Sequence, residues 1–147
     1  MSGYAVPELQ RAVIARLKAF APLNTEIAQR VYDTVPKEAT FPLVAINGIA
    51  TLADDTDTSS GMDAEVNISV FARGVGARVD AQRIGAQIIA ALDRGAALLN
   101  VPGHKVVMSR YVRNVVFRTD AAPTNGEVHG VFTFSIKTES LALSVGF

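Results

Sequence analysis

The sequence predicts an α+β domain, with a mainly antiparallel sheet of four to five strands, two helices packed on one face, and a long projecting β-hairpin. Three observations predict it. Apolar residues recur at spacings of three and four in two separated stretches, which marks amphipathic helices. Polar and apolar residues alternate in Glu65-Val66-Asn67-Ile68-Ser69-Val70, which marks a half-buried strand. Two long β-rich runs, residues 105–118 and 129–138, flank a connection containing Asn125-Gly126, a strong hairpin dipeptide. Short loops between successive strands favour antiparallel pairing, with the helices laid on the sheet.

The elements follow in order. Val6, Leu9, Val13, Leu17 and Phe20 form one stripe of a helix over residues 7–20, with Arg11, Arg16 and Lys18 among the polar positions. Pro7 is tolerated in the first turn, and Pro22 stops the helix. Residues 24–30 read as a connector. Next comes Val31-Tyr32-Asp33-Thr34-Val35-Pro36, answered by Phe41-Pro42-Leu43-Val44-Ala45-Ile46. Each proline holds the residue before it extended, so the segment reads as strand, fixed loop, strand, and Pro42 opens the second strand. Residues 51–63 hold Asp54, Asp55, Asp57, Ser59, Ser60, Gly61 and Asp63 and read as a long exposed loop. Val66, Ile68 and Val70 point at the core. Gly74-Val75-Gly76 breaks that strand before a helix over residues 77–93, where Ala81, Ile84, Ile88, Ala91 and Leu92 share a stripe and Gly85, Ala86 and Ala90 permit close approach. Asn100-Val101-Pro102-Gly103-His104 is a turn into the first long strand.

With 147 residues the chain fits one domain, residues 1–147. It carries 14 basic and 14 acidic residues, so no global field recruits nucleic acid or an anionic membrane. No apolar run approaches the roughly 20 residues needed to cross a bilayer, and Met1-Ser2-Gly3-Tyr4 lacks signal-peptide character. Cysteine is absent, which excludes disulfides and thiolate metal sites. The expectation is a soluble protein of the cytoplasm. Hydrophobic residues reach 49% against 19% charged, and this low charge favours a surface that a partner covers.

None of the chemical motifs in the sequence is complete. Arg73-Gly74-Val75-Gly76-Ala77-Arg78 mimics a dinucleotide loop, but Val79 stands where the third glycine belongs. An EF-hand counted from Asp55 puts Ser60 at the glycine position and Val66 at the bidentate glutamate, so the loop reads as solvated and acidic. His104 and His129 have no nucleophile or second ligand placed beside them, and no catalytic triad forms from the pattern. Arg110, Arg113 and Arg118 share a strand with Tyr111 and Phe117. Simple alternation puts Arg110 and Arg118 on one face and Arg113 on the other. A stacking platform for nucleic acid needs a net positive groove, so these residues read as sheet-edge or subunit contacts. No cofactor and no metal is expected.

The helix with Leu9, Val13 and Leu17, the Val-Tyr-Asp-x-Val-Pro and Phe-Pro-Leu-Val-x-Ile phrases, the Ala81, Ile84, Ile88, Leu92 helix, and His129-Gly130-Val131-Phe132-Thr133-Phe134 together resemble the tail-completion, or tail-terminator, family of long-tailed bacteriophages and gene transfer agents. The resemblance spans residues 7–140. It implies a virion protein, assembled in the host cytoplasm, that forms a homo-oligomeric and hexameric ring at the head-proximal end of the tail tube. Such a ring ends tube polymerisation and presents the head–tail joining surface, with tail tube protein and neck or stopper protein as partners. DNA passes its lumen without specific binding. Competing readings are a neck stopper, a tube subunit, or a small ligand-binding or enzymatic α+β domain. In the ring reading Asp54, Asp55, Asp57 and Asp63 are candidates to hang into the lumen, while Arg110, Arg113, Arg118, Leu141, Leu143 and Phe147 are candidate contacts with other subunits or partners.

Overall fold

The computed structural model describes residues 4–55, 60–118 and 126–141. In chain order these form α1 (Val6–Ala19), α2 (Ala21–Ile27), β1 (Val31–Tyr32), β2 (Leu43–Ala53), β3 (Gly61–Ala72), α3 (Ala77–Leu92), a 3-10 turn (Ala96–Leu98), β4 (His104–Arg118) and β5 (Val128–Ser140). The strands make one five-stranded sheet of order β1-β2-β3-β5-β4. β2 with β3, β3 with β5 and β4 with β5 pair antiparallel. The α+β class, with a mostly antiparallel sheet, is therefore the observed one.

The helices bury the stripes that defined them. Leu9, Val13 and Leu17 of α1 are fully buried, as are Ala81, Ile84, Ile88 and Leu92 of α3, with Ala91 nearly so. They join Val66, Ile68, Val70, Phe132, Phe134 and Ile136 of the sheet in one core. Packing is closest at Gly85. A Cβ there would lie 1.9 Å from Cζ of Phe132, so only a glycine lets α3 lie this near β5. Ala86 and Ala90, by contrast, are exposed.

Three helices are present where two were expected. Pro22 does follow the end of α1, yet it also sits in the first turn of α2, where the missing N–H has no intrahelical acceptor to lose. Asn24 joins the two: its Nδ2 reaches the carbonyls of Leu17, Lys18 and Phe20, each at 2.9 Å. Its Oδ1 accepts from the Gln29 N–H at 2.8 Å. One amide thus satisfies the terminal carbonyls that every helix leaves open.

Other expectations need revision. β1 pairs with β2 in parallel, Val31 beside Val44 and Tyr32 beside Ala45, because residues 33–42 carry the chain back to start β2 in the same direction. The long exposed loop expected over residues 51–63 is strand at both ends: β2 runs to Ala53 and β3 begins at Gly61. Cross-strand pairing from Thr51↔Ala64 to Ala53↔Met62 satisfies backbone groups that a loop would leave to water. β4 and β5 do pair antiparallel, but β5 is also paired with β3 from Ala72↔Val128 to Gly61↔Glu139. The ribbon is embedded in the sheet. Asn125 lies outside the described residues.

Candidate functional site

The sheet has two unlike faces. Alternate residues of β3 and β5 point to the helices and form the core; the others, Asp63, Glu65, Asn67, Ser69 and Phe71 with His129, Val131, Thr133, Ser135 and Lys137, are neighbours in register on the opposite face. Short polar side chains bind one another across this second face. Thr133 Oγ1 donates to Asn67 Oδ1 at 2.7 Å, and Ser135 Oγ donates to Asp63 Oδ1 at 3.2 Å. His129 Nε2 lies 2.8 Å from Ser69 Oγ. The His129 ring stacks on Phe71 at 4.4 Å between centroids and tilts against Phe117 at 5.1 Å. Burial among these rings pushes the His129 pKa down, and Glu127 pulls weakly the other way.

Large apolar side chains stand exposed along the margins of this sheet. On β2 Leu52 is 72% exposed; on β4 Val112, Val115 and Phe117 are 47%, 54% and 39% exposed. Leu52 and Val112 line the same shallow cleft of about 290 Å³ with Ala50, Asp63, Glu65 and Ser135. Its open shape and small polar complement do not make an enclosed ligand pocket. A second groove of about 390 Å³ runs along α1, lined by Ala12, Ala15, Ala19 and Leu98, with Arg11 and Arg16 beside it. Among the described residues no cluster of His, Asp and Glu is arranged to hold a metal, and no helix is long and apolar enough to cross a membrane.

The arginines fall differently from simple alternation. β4 carries two bulges against β5, one between Val106 and Met108 and one between Tyr111 and Arg113. A bulge adds a residue to one strand and shifts everything beyond it to the other face. Arg110 therefore pairs with Ser135 and Arg113 with Thr133, both on the helix-free face, while Arg118 pairs with Val128 on the helix side. Arg113 reaches across β5 to Glu65 at 3.1 Å. Arg118 lies with the N-terminal turn of α3, near Gly76 and Ala77.

The acidic candidates also separate. Asp54 and Asp55 are exposed in the β2–β3 connection, with Asp55 Oδ1 accepting from the Gly61 N–H at 3.0 Å. Asp63 is a strand residue, opposite Leu52 and Lys137. Asp57 lies outside the described residues, as do Leu143 and Phe147. Leu141 is 61% exposed just past β5, and its N–H donates to the Gly103 carbonyl at 2.9 Å. The exposed margin formed by Leu52, Val112 and Val115 escaped sequence reading, because strand residues at a free edge look like strand residues in a core.

Comparison with known proteins separates the tail-protein readings from the enzymatic one. The family model described as tail completion protein gp17 matches residues 11–139. The chain belongs to this family. As a tail completion protein it is a structural component of a phage-type tail and not an enzyme. No curated protein matches it. Its fold is shared with a chain from the virion of a native gene transfer agent particle. That likeness has a TM-score of 0.84 and 23% identity, over 95% of this chain and 100% of that one.

Proposed function

We propose that this tail completion protein closes as a ring of identical copies on the head-proximal end of the tail tube. There it stops tube polymerisation and offers the surface to which the neck proteins join. Within the tail family, the observation that carries this reading is the one-sided sheet. Its helix-free face has exposed apolar groups at both margins, Leu52 on β2 and Val112, Val115 and Phe117 on β4. Two different apolar margins on one subunit suit a heterologous contact, which repeats from copy to copy until rotation closes it. A chain with zero net charge holds passing DNA by no general electrostatic attraction.

The reading is tested in particles produced without this protein. Overlong tails or heads without joined tails are expected in electron micrographs. Particles of normal tail length with joined heads overturn the assignment. Purified tubes supply a complementary test: a terminator added to growing tubes caps them, whereas a tube subunit extends them.

A further inference from the structure

Both lateral edges of the sheet are half covered, and the covered halves lie at opposite ends. β1 covers β2 only at Val44 and Ala45. From Ile46 to Ala53, β2 pairs with β3 on one side and with no described strand on the other. On β4, the Arg94 N–H donates to the Ser109 carbonyl at 2.7 Å, and Asp93 Oδ1 accepts the Tyr111 N–H at 2.9 Å. Residues 93–94 thus close the edge of β4 there, and beyond Tyr111 no described residue pairs with its outer side. The open stretches are residues 47–53 of β2 and residues 112–118 of β4.

We propose that in the ring the open edge of β4 on one copy pairs with the open edge of β2 on the next, so that the sheets run on from subunit to subunit. This rests on the ring reading and names its seam. Three features support it.

The first is direction. Across β2, β3, β5 and β4 every neighbour is antiparallel, so β2 and β4 run in opposite senses. Copies related by rotation about an axis along the strands then meet antiparallel, the more stable ladder.

The second is charge. β4 carries Lys105, Arg110, Arg113 and Arg118 and no acidic residue, while β2 carries no charge and leads into Asp54 and Asp55. Two β4 edges meeting about a two-fold axis would gather only cations. In the β4–β2 pairing, antiparallel register brings Asp54 and Asp55 of one copy to the level of Tyr111 and Arg110 of the next. Arg110 makes no ion pair among the described residues.

The third is stagger. Val115 and Ala50, the midpoints of the open stretches, are level with Ser69 and Glu65 of β3. This offset of about 13 Å across four strand spacings of about 19 Å tilts the strands by about 35°, within the range of closed sheets.

The absence of cysteine makes the seam directly testable. Ala50 and Val115 are exposed, so Ala50→Cys and Val115→Cys disturb no packing. Particles assembled with the double variant and treated with a short bis-maleimide are expected to give a covalent ladder ending at the closed-ring size. Each single variant stays monomeric, because its thiols lie on edges that never meet. Dimers from Val115→Cys alone overturn the proposal in favour of a two-fold contact. Particles that carry the double variant on normally terminated tails but give no ladder overturn the seam and leave the ring standing. Particles with no ring of this protein at the tail end overturn both.

Discussion

The two faces of the sheet use the same strands for different ends. On the helix side, Val66, Ile68, Phe132, Phe134 and Ile136 are buried within the chain's own core, and nothing further is needed to satisfy them. On the other side, Thr133 bonds Asn67, Ser135 bonds Asp63 and His129 meets Ser69 across strands, and the large apolar groups stand at the margins. Under the proposed ring contact, folding and assembly are separated by face. Substitutions on the helix side register as lost stability. Those at the margins of the other side leave the subunit folded and register in the particle.

The sharpest way to break this division is Phe134→Ala. Phe134 is fully buried at the centre of the core, and its loss costs about 3–5 kcal/mol, read as a lower denaturant midpoint with unchanged slope. A loss below about 1 kcal/mol would show that the core is not organised around it. Gly85→Ala comes next. The new methyl collides with the Phe132 ring, and overpacking of this kind costs about 1–3 kcal/mol, against a gain of up to about 1 kcal/mol in helix propensity. A stabilised variant would mean that α3 lifts freely from the sheet.

The helix-free face is sharpened by pH. Burial lowers the His129 pKa below 6.5, so the unfolded chain takes up the proton first and stability rises with pH in that window. His129 therefore contributes stability that is complete above about pH 6.5 and declines as acidity approaches its folded pKa. His129→Gln should flatten this part of a stability–pH curve. An identical slope in both proteins would place the titration elsewhere. The smallest effect belongs to Arg113→Ala: its pair with Glu65 is well exposed on both sides, so less than about 1 kcal/mol is lost. Incorporation into particles, measured by immunoblot, should fall more than stability does. Equal incorporation would remove Arg113 from the assembly margin.

Legibility followed the periodicities. Regular alternation in Val66, Ile68 and Val70 and the helical stripe through Ala81, Ile84 and Ile88 specify burial directly, and the structure buries all six. Features that depend on a partner strand stayed hidden. The bulge at Val112 exists only against β5, so alternation along β4 misassigned Arg113 relative to Arg110. The strand character of residues 51–53 and 61–63 is set by pairing, which overrides the loop-like composition of Asp54 to Gly61. The parallel partnership of β1 is equally non-local. For the site, the sequence supplied the charged residues of the margins, while the exposure of Leu52 and Val115 required knowing which edges remain open.

One consequence of the strand order concerns timing. β5 is the last of the described strands to leave the ribosome, yet it lies between β3 and β4. Until it arrives, β4 has nowhere to dock, and the long-range pairings that complete the sheet all wait for it. A nascent chain can therefore form the β2 edge with β1 and β3, while the β3 side of the sheet stays unpaired until β5 is made. The β4 edge exists only once β5 is in place, so a chain cut short of β5 carries one of the two edges that a repeating contact needs.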